Sequence, residues 1–438
     1  MSQQPLRVVL GKLFPADKRL LREGGWVGFG VVASGLGMLV GVRLLTELVP
    51  PSVFGTVALI TGILAFSSQL FCMPQLNAVS RFYPEYVRSP SDVQPFRARI
   101  GRSLYRTLAA LTGCVLLGGA VAVVVWRQVS YLVFVVAACL LAVEVLRLFE
   151  MNLLNAARRQ RPYALWQAAE SWSRPLLAIL VVVLWGAKPE SVLVGYCLAT
   201  LGGLVLFRIA LGTPAAQQVA AKSLTAEFDR EMRRFALPLV PLAVVSWLHS
   251  AADRYLLGAL LDMHSVGLYV SAYGLVNRLM AVIPQVLLIS LRPVLFEAVS
   301  SETKDERRVV RLWLGTAGVA LGLGCLVLWL ASDLVVALLL ASTYREAAAL
   351  LPVLGLGFSF LFMSQIFNTV SLAYKHSKAV LYSELGAATV ALVGGVALIL
   401  SWGLSGAAIA TAMAYFVQLV LSYRFARAAK TTREAVAA

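Results

Sequence analysis

Four arginines lie inside long apolar runs of this 438-residue chain, Arg147, Arg174, Arg254 and Arg278, and a fifth, Arg43, stands near the edge of another. A charge held at the centre of a bilayer costs at least about 2.5 kcal/mol, so each needs a compensating anion or a task. The guanidinium fork suits phosphate oxygens, and it suits a carboxylate on the same helix equally well. Neighbours offer that second outcome to three of them. Arg147 has Glu144 and Glu150 three positions away on either side, Arg174 follows Glu170 by four, and Arg254 adjoins Asp253. Arg278 has no carboxylate within a helical turn, only Asn277, so its charge is the one left to meet an anion. His249 and Asp253 fall one turn apart on one helix face and could titrate for proton coupling, or serve as hydrogen-bonded packing. Glu384, alone in its apolar run, is a comparable candidate for a coupling cation. Arg81 and Arg292, at the ends of runs, could catch an anionic head or snorkel to the interface.

These side chains acquire meaning from the elements that hold them. The chain is 59% hydrophobic and 14% charged, with a mean hydropathy of +0.80, whereas soluble proteins carry charge on roughly a quarter of their positions. About 20 apolar residues cross the hydrocarbon layer as a helix. Such stretches are expected near 25–47, 56–79, 105–126, 131–154, 163–186, 191–212, 237–260, 265–291, 312–332, 347–371, 379–401 and 404–423. The alternation of a barrel strand is absent, and unpaired backbone groups are intolerable in lipid, so twelve helices are the consistent reading. The intervening breaks reach about two dozen residues, too short for a separate catalytic domain, which argues against an enzyme. Cys72, Cys114, Cys139, Cys197 and Cys325 all fall in apolar runs without metal or redox spacing and read as small core residues. The first run follows a basic lead and continues into a second, as a retained helix does, not a cleaved signal.

A net charge of +16 would ordinarily raise nucleic-acid binding. Its placement argues otherwise. With the N-terminus inside, the cytoplasmic segments hold 30 of the 38 Lys and Arg residues, which sets both termini in the cytoplasm by the positive-inside effect. The basic balance is then topological, and no nucleic-acid partner is expected.

Landmarks recur between the halves. Arg43 through Gly55 after the first span matches Arg254 through Gly267 after the seventh, and Ser80-Arg81 with Glu85 matches Leu291-Arg292 with Glu297. The basic loop Arg158–Arg161 recurs as Lys375–Lys378, and Trp185-Gly186 as Trp402-Gly403, both 217 positions on. Two six-helix lobes in the same orientation follow. The expected division is a cytoplasmic lead (1–24), an N-lobe (25–212), a cytoplasmic linker (213–236), a C-lobe (237–423) and a cytoplasmic tail (424–438). Pro238, Pro241 and Pro284 could bend the seventh and eighth helices, while Gly37 and Gly41 permit close helix contact.

The run Leu237-Pro238 through Ser246, then Asp253-Arg254-Tyr255-Leu256-Leu257-Gly258 and Val266-Gly267-Leu268-Tyr269 through Tyr273, resembles the seventh and eighth helices of polysaccharide transporters in the MOP (multidrug, oligosaccharidyl-lipid, polysaccharide) superfamily. Arg43 with Phe54-Gly55, and Ser80-Arg81-Phe82-Tyr83-Pro84-Glu85, resemble the N-terminal signature of its Wzx-type flippases. The resemblance implies an all-α, V-shaped pair of six-helix bundles around a central cleft, working by alternating access in the bacterial inner membrane. It implies as cargo an undecaprenyl-pyrophosphate-linked oligosaccharide for O-antigen (lipopolysaccharide) or exopolysaccharide synthesis. Partners would be membrane lipids, a polysaccharide polymerase and chain-length machinery, with the flippase a monomer, no cofactor, and coupling to an H+ or Na+ gradient. On that reading Arg278, Arg254, Arg174, Arg147 and Arg43 form a cationic ladder for the pyrophosphate, with Arg81 and Arg292 receiving it. Tyr163, Trp166, Trp172, Trp247, Tyr255, Tyr269 and Tyr273 could stack sugars or belong to the core and interface. The alternative is a MATE-like multidrug or cation-coupled antiporter, although residues 25–42 lack the acidic residue usual in that branch.

Overall fold

The computed structural model describes residues 18–89, 92–125, 130–211, 228, 230–232, 234, 239–300 and 305–437, and the regular elements among them are all helical. The chain lead before residue 18 and most of the expected linker fall outside the described residues. The first half comprises α1 (Lys18–Leu48), α2 (Pro51–Phe71), α3 (Met73–Tyr86), α4 (Val93–Val125), α5 (Tyr131–Ala156), α6 (Gln160–Trp185) and α7 (Pro189–Leu211). The second comprises α8 (Leu239–Leu260), α9 (Met263–Ser300), α10 (Asp305–Leu330), α11 (Ser332–Leu339), a 3-10 segment (Ser342–Leu350), α12 (Leu351–Ala373) and α13 (Ser377–Ala437).

Ten described helices are long and apolar enough to cross a membrane. The last of them contains two crossings, because Gly403 breaks α13 with φ 56° and ψ −133°. The 22 residues of α8 span about 33 Å despite carrying His249, Asp253 and Arg254, and complete twelve. Large apolar side chains stand outward along these helices, among them Val124 (77% exposed) and Val393 (69%). On an integral membrane protein that surface belongs against lipid.

Several boundaries depart from those expected. The second span breaks at Cys72, where Pro74 opens α3 without an N–H to continue the ladder. Helix α4 begins at Val93, not near 105, so Arg97, Arg99 and Arg102 are helical instead of lying in a loop. Helix α9 runs through Pro284 and Pro293 to Ser300, carrying Arg292 well inside it. The connection before the tenth span folds into α11 and the 3-10 segment, and the expected tail continues the last helix.

The chain divides into two compact units, 1–49 with 57–244 and 50–56 with 245–438. In the first, α1 and α6 approach closely through glycines: a Cβ at Gly41 would lie 2.3 Å from Pro175, and one at Gly37 would lie 2.7 Å from Trp172. In the second, the short segment Pro50–Thr56 lies against the start of α9. There a Cβ at Gly55 would fall 2.3 Å from the Met263 carbonyl oxygen, and one at Gly267 would fall 1.9 Å from the Pro51 carbonyl oxygen. The glycine closing each copy of the Arg-to-Gly signature is therefore required by direct backbone contact.

The repeat extends to the backbone. Positive φ occurs at Arg158 (55°) and Lys375 (63°), and at Gly186 (87°) and Gly403 (56°), each pair 217 positions apart. At the C-terminus of α5 the Arg159 amide donates to Leu154 O at 2.9 Å; at the C-terminus of α12 the His376 amide donates to Ser371 O, again at 2.9 Å. Both are the six-to-one bond that closes a helix around a left-handed residue.

Candidate functional site

In the first unit the charged residues of α5 and α6 form a closed network. Glu144 accepts from Arg147 at 2.5 Å and pairs with Arg174; Glu170 meets Arg147 at 3.1 Å and Arg174 Nε at 2.9 Å. Thr200 from α7 accepts from Arg174 at 2.9 Å and donates to Glu170 at 3.3 Å. Two cations and two anions alternate, so each buried charge has the partners that offset its desolvation. Arg147 and Arg174 are thus brought together, with their donors turned to carboxylates.

Glu150 departs from the sequence expectation. It does not turn to Arg147, three residues back. It pairs instead with Arg97 from α4 and, at 3.3 Å, with Arg208 from α7. Neither arginine was a candidate from sequence, because Arg97 was expected in a cytoplasmic connection and Arg208 at the end of a run, where basic residues are expected for topology alone. Elsewhere in this unit Arg43 pairs with Glu47, while Arg81 pairs with Glu85 and lies over the Phe82 ring. Trp166 stacks on Phe207 at 3.9 Å and is buried, and the Trp172 indole donates to Ala33 O at 3.1 Å, so both are packing residues.

The second unit contains a different polar core. Asp253 accepts from Tyr269 at 2.5 Å and from Thr411 at 3.3 Å, and those two hydroxyls are themselves 2.8 Å apart. Its backbone neighbour Arg254 keeps its guanidinium 4.0 Å from that carboxylate and lays it over the Tyr273 ring at 4.7 Å. The expected Asp253–Arg254 ion pair is therefore loose, and hydroxyls satisfy the acid. Tyr273 bonds Tyr415 at 2.7 Å, and the His249 ring packs edge-on to Tyr415 at 5.1 Å. Gln418 is the polar neighbour of His249, and its Oε1 is buried without a bonded donor among the described residues. Sequence reading missed Thr411, Tyr415 and Gln418. Their signal was a stripe at i, i+4 and i+7 along the last span.

Arg278, on α9, is half-buried and forms no ion pair or hydrogen bond among the described residues. Glu384, on the first arm of α13, has a buried Oε2 without a bonded donor there, although its neighbour Ser383 donates to Asn368 at 3.3 Å. Arg292 lies over the Phe296 ring at 5.4 Å. The described residues gather no group of three His, Cys, Asp or Glu side chains that could hold a metal.

Residues 20–301 match the family model described as polysaccharide biosynthesis protein. No curated protein matches the chain. Solved structures similar to it include the lipid II flippase MurJ in an inward closed conformation, with TM-score 0.69 and 12% identity over 92% of this chain and 86% of that one. A multidrug resistance MATE family transporter of the MOP superfamily, inward-facing, gives 0.67 and 12% identity over 93% and 96%. A eukaryotic MATE transporter gives 0.56 and 14% identity over 95% and 100%.

Proposed function

With the chain a member of the polysaccharide biosynthesis protein family, and so a membrane transporter and not an enzyme, we propose that it flips undecaprenyl-pyrophosphate-linked oligosaccharide units between leaflets. The direction is from cytoplasmic to periplasmic leaflet of the bacterial inner membrane, supplying O-antigen or exopolysaccharide synthesis, with both termini in the cytoplasm. The observation that carries this reading is Arg278, a half-buried cation in a membrane helix with no counter-ion among the described residues. A pyrophosphate is the anion that would complete it. Arg254, whose fork lies on an aromatic face and not on a carboxylate, is the second contact. Arg43, Arg81 and Arg292 stay accessible enough to pass the head group along, whereas Arg147 and Arg174 hold the first unit together.

Alternating access needs a driving force, and Asp253 within its hydroxyl nest is the group to bind H+ or Na+, with His249 and Glu384 as further proton-accepting sites. The polymerase and chain-length machinery that consume the product are its expected partners. The test is deletion of the gene with tracking of the lipid-linked oligosaccharide. Accumulation in the inner leaflet, rescued by wild type and not by Arg278→Ala, is the expected result; normal export by Arg278→Ala removes the role of that residue. A deletion strain with unchanged surface polymer and heightened drug sensitivity would instead favour a MATE-like multidrug or cation-coupled antiporter; one similar structure is described as a multidrug resistance MATE family transporter.

A further inference from the structure

Beside the balanced ring of the first unit lies a cluster that does not balance. Glu150 Oε1 receives both Arg97 and, at 3.3 Å, Arg208, so among the described residues two guanidiniums share one carboxylate and the group keeps a net positive charge. The carboxylate is 8% exposed, Arg97 19% and Arg208 39%. Arg208 Nε is buried with no bonded acceptor among the described residues. A charge withdrawn from water and left uncompensated is costly, so the excess cation calls for an anion.

The position specifies which anion. Arg97 is in the second turn of α4, Arg208 in the last turn of α7, and Glu150 six residues, about 9 Å, before the end of α5. All three sit at the helix ends on the side of the unit that carries the basic loop Arg158–Arg161. On either side of Arg208 the wall is apolar and outward-facing: Leu206 is 68% exposed and Ile209 72%. That pairing of a cationic notch with a lipid-facing wall is the chemistry of an anionic headgroup site between transmembrane helices.

We propose that Arg97 and Arg208, held on one oxygen of Glu150, clasp the phosphate of an acidic phospholipid in the leaflet at the basic end, with its acyl chains along Leu206 and Ile209. The site uses none of the residues assigned above to the cargo, and it needs no cargo. Glu150 cancels one of the two guanidinium charges and competes with the lipid for both forks, and the bound phosphate cancels the charge that remains.

The purified full-length chain in neutral detergent is titrated with phosphatidylglycerol or phosphatidylcholine, reading the unfolding midpoint and, by native mass spectrometry, retained lipid. Wild type gains stability from phosphatidylglycerol and not from phosphatidylcholine. Arg208→Gln melts as wild type in phosphatidylcholine but binds phosphatidylglycerol about tenfold more weakly, the loss expected for one charge-assisted contact. Glu150→Gln, which removes the competing anion, retains more phosphatidylglycerol than wild type. Equal phosphatidylglycerol binding by wild type and Arg208→Gln overturns the proposal, as does weaker retention by Glu150→Gln. A wild-type response to inorganic phosphate as strong as that to phosphatidylglycerol, or to undecaprenyl pyrophosphate alone, overturns the phospholipid assignment. Should Arg208→Gln fail to fold, Arg208→Lys keeps the charge without the fork and must still bind more weakly.

Discussion

Where the first unit places Glu144, Arg147, Glu170 and Arg174, the second, 217 positions on, has Leu361, Ser364, Ala387 and Ala391. The reverse holds too, since Thr411, Tyr415 and Gln418 of the second unit correspond to Val194, Leu198 and Leu201 of the first. Yet the left-handed residues and the bonds that cap α5 and α12 coincide position for position. A cap is tied to one backbone geometry and so survives duplication. A buried polar set is tied only to its own members, so it can arise in either copy provided every group finds a partner. The α5–α6 ring of the first unit uses ion pairs that cancel; the second unit uses one acid among hydroxyls, with Arg278 uncancelled among the described residues.

That contrast can be broken by substitution. Glu144→Ala strands Arg147 and Arg174 beside a single carboxylate and is expected to cost about 3–5 kcal/mol in detergent melting. Replacing all four members together, as Glu144→Leu, Arg147→Met, Glu170→Leu and Arg174→Met, is expected to return stability to the wild-type level, because no buried charge is left unpaired. Retained transport in that variant would confine the network to scaffolding. In the second unit Tyr269→Phe takes a donor from the buried Asp253 and is expected to cost about 1.5–3 kcal/mol on the same melting curve.

Smaller effects sharpen the comparison. Asp262 caps α9 by accepting from the Ser265 amide at 2.7 Å, a bond that holds its carboxyl below the usual range. Because the folded value is depressed, its contribution is complete above the ordinary carboxylate pKa and fades as pH falls through the lowered one. Asp262→Ala is expected to cost about 1 kcal/mol near neutral pH and nothing in strong acid, seen by melting across pH. Arg278→Gln should leave the melting temperature unchanged or slightly raised, since it removes an unpaired charge, while abolishing transport. A drop in stability would show that Arg278 is a structural residue.

Much of the fold was legible. Helix count, the duplicated plan and the glycines at 55 and 267 all left marks in one dimension, because each answers to a span length or a local contact. The candidate site was legible only in part. Glu144 and Glu170 were read beside Arg147 and Arg174 because i, i+3 and i, i+4 neighbours share a helix face. Glu150 satisfied the same spacing rule and went elsewhere, since Arg97 and Arg208 approach it from α4 and α7. Tyr269 and Tyr273 were marked as sugar-stacking candidates, but they are buried and spend their hydroxyls on Asp253 and Tyr415.

The sequence by itself determined that this is a twelve-helix membrane protein made of two related halves with its basic residues concentrated in alternate connections. A bilayer enforces those features residue by residue, through the length of apolar helix it demands and the placement of charge it tolerates. Only the tertiary structure decided which charges are cancelled. Arg147 and Arg174 close on Glu144 and Glu170, Asp253 is held by hydroxyls from α9 and α13, and Arg278 is left open among the described residues. Partners that arrive from helices far apart in the chain are fixed by packing, and spacing along one helix carries no trace of them.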